Sequence, residues 1–483
     1  MAPLEQDPSS ILILGSGVFG LSTAYHLTQH PAYASTKITL VDRSPFPPPD
    51  GSSIDTSRIV RADYADIAYA QLCLEAQNLW RNSWWGEGVY HEDGLAIAIK
   101  NPSEAAQTSG ANLTGQEYMR KSLENVQRLG LKPGVDVDVL PTSEALRGLF
   151  NQPSDSNAAP DFDADLGYIN RRSGWADACG SMSKLLEKVA ATGRVEFVTT
   201  QVTKLLYTSS SSSPSGHIVS GATLKDGTTL HADLTILATG AWTPSLIDMC
   251  GRASATGQIL AYLPLSPTEQ AQLSTNPTIL NESTGLFIIT PSNNELKVAR
   301  HGYGYANPCT IPNPSPSPAK GEETITTSLP STVYDHPPPS DPESALPLEA
   351  RVALRTFLSQ TFPSLANRPF TSARICWYLD TPTSNWIIDH HPSYPGLFIA
   401  TGGSGHAFKF APVLGEKVIN RIRGEEVGCG FGRGEQWDWP KEKCKERSER
   451  DVREGLVWSV DWRGGRKGMR LAEEMEREGR GRL

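Results

Sequence analysis

Among the residues whose types and spacing could do chemistry, three glycines and one acid come first. In Ile11-Leu12-Ile13-Leu14-Gly15-Ser16-Gly17-Val18-Phe19-Gly20 an apolar run leads into Gly-x-Gly-x-x-Gly. After a helix-length gap, Asp42 closes a second apolar run, Ile38-Thr39-Leu40-Val41. The glycines permit, in turn, a tight bend, close approach of the backbone to a pyrophosphate, and close packing of helix on strand. The helix that opens there turns free N–H groups and the positive end of its dipole toward phosphates. Asp42 stands at the right distance to accept hydrogen bonds from a ribose. Strand, glycines, helix and acid together predict a bound dinucleotide.

Other functional groups are scattered, and each has two readings. Cys376, between Ile375 and Trp377, is on its residues alone a small buried hydrophobe. Arg58 and Arg61 flank Ile59 and Val60 and read as surface arginines; an extended segment would point them to opposite faces, a helix to one. Lys409 follows the glycine-rich turn Gly402-Gly403-Ser404-Gly405-His406, a better place for a functional cation than for a solvated one. Lys297 and His301 lie four apart in Leu296-Lys297-Val298-Ala299-Arg300-His301, so a strand there puts both on one face. Tyr378 could equally be core packing. His390 and His391 are adjacent and diverge on a strand, so no metal site is expected. No Gly-x-Ser-x-Gly element supports a hydrolase.

These groups need elements to hold them. The opening strand–helix–strand unit gives way to a turn-rich stretch, 43–57. Helices are expected at 67–84, 117–129 and 177–191, and strands at 94–99, 195–200, 229–231, from 234 and from 397. The runs ending in Gly240 and in Gly402-Gly403 each deliver a glycine turn at a strand end, where doubly wound sheets bind ligands. An α/β cofactor domain assembled from 1–93, 169–250 and 379–424 follows, with an α+β second lobe from 94–168 and 251–378. Residues 209–216 read as a hairpin tip. The Pro- and Ser-rich stretch 307–347 excludes a continuous helix or central strand and reads as disordered or as a cover for the active-site mouth. Residues 425–483, highly charged, read as a solvated appendage.

At 483 residues two lobes are expected, and 38% hydrophobic residues suit a globular protein. A net charge of −9 argues against nucleic acid. No apolar run is long enough for a membrane span. Residues 1–10 lack the regions of a signal peptide, and seven dispersed cysteines suit reduced intracellular thiols.

Several motifs, in one order over residues 11–423, carry a resemblance. Ser52-Ser53-Ile54-Asp55-Thr56-Ser57-Arg58-Ile59-Val60-Arg61, then Arg374-Ile375-Cys376-Trp377-Tyr378 with Thr381-Pro382, then Gly403-Ser404-Gly405-His406-Ala407-Phe408-Lys409-Phe410 resemble monomeric sarcosine oxidase. The same family includes fructosyl amino acid oxidases (amadoriases) and the pipecolate and saccharopine oxidases. Ala407 stands where sarcosine oxidases carry glycine.

The resemblance implies a Rossmann-type FAD-binding domain of the D-amino acid oxidase and sarcosine oxidase type, with a sheet-containing substrate domain. It implies FAD bonded through the Cys376 sulfur and contacted by Gly15, Ser16, Gly17, Val18, Phe19, Gly20, Asp42, Arg43, Ser53, Thr56, Ser57, Arg58, Val202, Thr239, Gly240, Trp242, Gly403, Gly405, His406 and Lys409. Arg61 and Lys409 would hold a substrate carboxylate, with Tyr378 in the substrate pocket. Lys297 would assist the reaction with oxygen, with His301, Arg58 and Tyr378 also catalytic.

The expected activity is oxidation of a secondary amino acid (saccharopine, pipecolate or an N-methyl amino acid) with release of hydrogen peroxide. A fructosyl amino acid oxidase and a secondary-metabolite amine oxidase are alternatives within the family. An NAD-dependent dehydrogenase would leave Cys376 unexplained, and a non-catalytic flavoprotein would leave Lys297, Arg61 and Lys409 unexplained. The partners expected are the small-molecule substrate and oxygen, for a monomer in the peroxisome or the cytoplasm. The peroxisomal reading rests on Gly481-Arg482-Leu483, which keeps the leucine of Ser-Lys-Leu.

Overall fold

The computed structural model describes residues 7–101, 114–154, 160–317, 320–331 and 340–480. Its first strand, Ser10–Leu14, buries four consecutive apolar residues, as a parallel strand covered on both faces must. That strand lies inside a six-stranded sheet ordered Ile387–His390, Leu397–Thr401, Leu234–Leu237, Ser10–Leu14, Lys37–Asp42 and Val195–Thr199. All neighbours run parallel except the first pair. Helices Val18–Gln29, Ala178–Ala191 and Ala411–Arg423 share a core with Ile11, Ile13 and Ile38 on one face. The other face, carrying Leu12, Leu14 and Val41, packs on a small antiparallel sheet of Val202–Ser209, His217–Leu224 and Thr229–His231. Residues 210–216 are the tip of its first hairpin.

The three expected helices start where a side chain caps them. Asp66 accepts from the N–H groups of Ala68 and Tyr69 ahead of Ile67–Asn82. Thr114 and Glu117 form a reciprocal capping box for Gly115–Arg128, and Asp177 accepts from Gly180 N for Ala178–Ala191. Among the described residues no helix is long and apolar enough to cross a membrane.

The second lobe is an eight-stranded sheet ordered Ser372–Asp380, Ser254–Pro264, Glu295–Arg300, Leu286–Ser292, Thr278–Asn281, Leu95–Ile99, Leu166–Asn170 and Val137–Leu140. Helix Leu348–Thr361 covers one face through Leu354, Phe357 and Leu358. The opposite face, with Leu260, Ala299 and Cys376, turns toward the site. A three-stranded sheet joins Arg58–Val60 to Gly174–Ala176 and Tyr90–His91.

Two stretches depart from their sequence reading. Within 307–347, Pro308–Pro312 pairs with Thr324–Ser328 in an isolated hairpin, where strand prolines meet no second partner. Ser328 Oγ donates to Ala255 O at 2.6 Å, tying the hairpin to the large sheet. Residues 318–319 and 332–339 of that stretch, and 481–483 with the tripeptide, lie outside the described residues.

The described part of the charged stretch, 425–480, is not a solvated appendage. Trp437, Leu456, Val457, Trp458, Trp462 and Met469 are buried, and Arg470 pairs within the segment with Asp451 and Glu454, both at 2.7 Å. The physical reason is aromatic: four of the chain's eleven tryptophans, at 437, 439, 458 and 462, lie in this stretch, and their area outweighs the surrounding charge. Residues 460–471 run along 301–306 with backbone bonds from Gly464 N to His301 O (3.0 Å), Tyr303 N to Gly464 O (2.9 Å) and Leu471 N to Ala306 O (2.8 Å).

Candidate functional site

The glycine turn is built as its sequence requires. Gly15 has φ +98°, and a Cβ there would lie 2.5 Å from Ala238 O. A Cβ at Gly20 would lie 1.8 Å from Gly15 O, so the helix can seat against the turn only with glycine at that position. Gly17 is the N-cap of Val18–Gln29, with no side-chain cap of its own. Ser53 Oγ accepts from Val18 N at 2.9 Å. Asp42 accepts from Ser16 N at 2.7 Å, Ser16 Oγ at 2.8 Å and Arg43 N at 2.7 Å, which fixes its carboxylate and leaves lone pairs for a ligand.

Around this turn lies a cavity with about 1260 Å³ of empty space, open solvent included. Gly15, Gly17, Val18, Phe19, Asp42, Arg43, Ser53, Arg58, Val202, Thr239, Gly240, Trp242, Gly403, Gly405 and His406 line it, as does Tyr378. Arg43 lies over the Trp242 ring at 4.0 Å. Of the other residues proposed to touch the cofactor, Ser16, Gly20, Thr56, Ser57, Cys376 and Lys409 are not on that lining. Ser16 and Gly20 act through Asp42 and the turn, as above. Cys376 is 1% exposed, and its sulfur is 3.4 Å from Arg58 Nη2, whose guanidinium does line the cavity.

Behind Arg58 sits a buried ionic cluster. Lys297 Nζ donates to Asp55 Oδ2 and to Ser57 O, both at 2.7 Å. Arg58 Nη1 and Tyr262 OH also donate to Asp55, and Arg374 Nη2 lies 3.6 Å from it. Burial pushes the Asp55 carboxyl upward, but Arg58, Lys297 and Arg374 overcome this and hold it well below the usual carboxylate range. Burial lowers Lys297 to about 8 despite Asp55, and the neighbouring charges of Arg58 and Arg374 act in the same direction. A small recess lined by Thr56, Ser57, Thr290 and Asn293 reaches Lys297.

A second cavity meets the first at His406 and is lined also by Arg61, Tyr64, Tyr118, His301 and Arg463. Arg61 is buried, donates to Asp63 O, and lies 5.4 Å from the Tyr64 ring centre and 5.8 Å from that of Tyr118. Asp63 accepts from Tyr168 OH (2.7 Å), Asn170 Nδ2 (3.0 Å) and Ser173 Oγ (2.8 Å). Lys409 stands one layer back from the cavity, donating to Tyr64 OH at 2.9 Å and His406 O at 3.1 Å. Burial, then Arg61, lowers Lys409 to about 7.

Directions in this network are fixed by one carbonyl. His406 Nε2 is 2.9 Å from Ser384 O and must donate, so Nδ1 accepts from Tyr64 OH at 3.0 Å, and Tyr64 accepts from Lys409. Lys297 and His301 do share a strand face: Ala299, between them, belongs to the core of Cys376 and Trp462, while Leu296 and Val298 face the helix. His301 lies just beyond the strand's end at Arg300, so the two reach different cavities.

Sequence reasoning did not single out Arg463, Asp461, Tyr64 or Tyr118 on this lining, or Asp55 behind it. The Trp462-Arg463 pair in a charged tail was the available signal for the first two. Glu282 also escaped it; fully buried, with neither carboxylate oxygen partnered among the described residues, it is pushed by burial up to about 8.

Comparison with known proteins gives a consistent result. Residues 10–421 match the family described as FAD dependent oxidoreductase. The chain is 34% identical over 475 residues to the amino acid oxidase imqH of Aspergillus flavus, covering 87% of this chain and 94% of that protein. It is 32% identical over 423 residues to L-saccharopine oxidase of Schizosaccharomyces pombe, covering 86% and 90%. Among solved structures, the fructosyl amine:oxygen oxidoreductase (Amadoriase I) of Aspergillus fumigatus superposes with a TM-score of 0.75 at 25% identity, covering 98% of this chain and 97% of that one.

Proposed function

Since the chain belongs to the FAD-dependent oxidoreductase family, we propose that it is an oxidase of secondary amino acids, with a saccharopine- or pipecolate-type substrate first and an N-methyl amino acid next. The observation that carries this reading is the junction at His406 of the cavity around the glycine turn with a pocket walled by Arg61. FAD, when bound, removes the equivalent of H₂ from the substrate's CH–NH bond, leaving an imine, and passes it to O₂ as hydrogen peroxide. The protein supplies the rest.

The helix N-terminus at Gly17 holds the pyrophosphate and Asp42 the ribose. Arg61 binds the substrate carboxylate, for which its planar fork is suited, and Lys409 adds positive potential through Tyr64. Tyr378 and Arg58 line the larger cavity, and Lys297 would supply a buried cation to favour the negative charge that reaction with oxygen develops. Cys376 would hold the flavin through its sulfur. Residues 1–93, 169–250 and 379–424 form the FAD-binding unit, and 94–168 with 251–378 the substrate unit. The enzyme works as a monomer in the peroxisome or cytoplasm.

The structural likeness to Amadoriase I favours a second reading, the deglycation of fructosyl amino acids. A peroxide assay with saccharopine, pipecolate, sarcosine, N-methyl amino acids and a fructosyl amino acid separates the two. Activity with the first group alone is expected. Turnover of the fructosyl compound alone selects the second reading, and peroxide from none of them rejects both. Acid precipitation should leave yellow flavin in the pellet, and Cys376→Ser should release it to the supernatant.

A further inference from the structure

We propose that Arg463, supplied by the C-terminal segment, is a positioning residue of the substrate site, locking His301 into one tautomer at the wall of the pocket. This rests on reading the Arg61 pocket as the substrate site.

Arg463 is 8% exposed, and three separate pieces of chain converge on it. Its Nη1 reaches both nitrogens of the His301 ring, Nε2 and, at 3.1 Å, Nδ1. Its Nη2 donates to Ser384 Oγ and to Ser404 O, both at 3.0 Å, and lies 3.6 Å from the Asp380 carboxylate, which keeps the guanidinium company in a buried setting. Ser384 and Ser404 both sit in the left-handed region, at φ +60° and +47°. Such backbone persists only where the surroundings enforce it, and here both residues turn an oxygen to the same arginine.

The imidazole has little freedom. The rings of Tyr378 and Trp462 flank it, with centroids at 6.3 and 6.1 Å. A guanidinium has only donors, so the ring nitrogen it meets must be unprotonated. One ring nitrogen therefore accepts and the other carries the ring proton. Held this way, His301 is a neutral ring of fixed orientation.

The placement of the arginine is enforced by backbone. The tail enters between Thr284–Gly285 and His301–Gly302, where a Cβ at Gly464 would lie 1.9 Å from Thr284 O and 2.7 Å from the Gly285 Cα. His301 N donates to Gly285 O at 2.8 Å while its carbonyl accepts from Gly464 N. The residue next to Arg463 is thus bonded to the residue that Arg463 orients.

The test uses holoenzyme carrying Arg463→Leu, Arg463→Lys or no change, with FAD content measured in each. Ring nitrogen-15 shifts of His301, identified by their loss in His301→Asn, report the tautomer; acetate binding, followed by flavin absorbance, reports the pocket. In the unchanged protein a single neutral tautomer is expected. In Arg463→Leu the ring should exchange between tautomers, and acetate should bind about fivefold more weakly, the scale of one lost buried hydrogen bond. Arg463→Lys, which keeps a donor and the charge, should restore most of both. Unchanged ring shifts and acetate affinity in Arg463→Leu would overturn the proposal. Should that variant fail to hold FAD, Arg463→Lys alone decides: native ring shifts support the role, and a ring exchanging between tautomers refutes it. If acetate does not bind the unchanged protein, the substrate reading of the pocket fails while the ring shifts still judge Arg463.

Discussion

Lys297 and Lys409 are both buried lysines, and their partners assign them different work. Lys297 shares Asp55 with two arginines and keeps its charge in a site away from the Arg61 pocket. Replacing it with methionine should slow flavin reoxidation by oxygen while leaving anaerobic reduction by substrate much less affected. The loss should be roughly 3 kcal/mol, as for removal of one preorganised stabiliser of developing charge; stopped-flow traces of the two half-reactions check it, and slowed reduction alone would contradict it. Lys409 forms no ion pair with a carboxylate among the described residues, and its value near 7 makes pH the probe. It is charged below that value and neutral above it, so attraction for an anion is present below pH 7 and is lost as pH rises through it. Acetate affinity should fall between about pH 6 and pH 9, and Lys409→Met should flatten the dependence. A flat profile in the unchanged enzyme would remove Lys409 from carboxylate binding. Neither lysine's environment was legible in the sequence, because Asp55 and Tyr64 reach them across 242 and 345 positions of chain.

At the scale of elements, the opening strand, turn and helix were legible, because the contacts of Gly20 with Gly15 and of Asp42 with Ser16 are local, although Ala238, which crowds Gly15, comes from far along the chain. Gly15, Gly20 and Asp42 are read from 32 consecutive residues, 11–42, and meet within one turn. Gly20→Ala would push a methyl into the Gly15 carbonyl. The helix must then back away from the strand, and purified protein should lose most of its flavin, seen as the ratio of visible to ultraviolet absorbance. A fully flavinylated Gly20→Ala protein would show that the helix seat tolerates displacement. The helix starts were similarly legible, since Asp66, Thr114 and Asp177 precede each apolar face. The tail was not, because its charge pattern describes the surface it shows and its tryptophans the surface it hides.

At the scale of the whole molecule, the cofactor cavity is walled by both lobes: Gly15 and Asp42 come from the six-stranded sheet and Tyr378 from the eight-stranded one. A ligand spanning such a cleft stabilises the fold as a unit. In Cys376→Ser, where FAD can be removed, saturating FAD should raise the melting temperature. The gain should be about 2.7 kcal/mol at a hundredfold excess over Kd. Calorimetry on the stripped and reconstituted protein measures this directly, and an unchanged melting temperature would mean that the cleft is held by protein contacts alone.

The route of the C-terminal segment also sets an order in time. A ribosome releases the glycine turn before the Arg463 stretch, and chains fold in roughly that order as they emerge. Residues 10–421, with every glycine of the opening turn, are synthesised before the residue that reaches His301. A nascent chain can therefore assemble the strands and glycine turn of the first cavity while the second still lacks the side chain that holds its histidine.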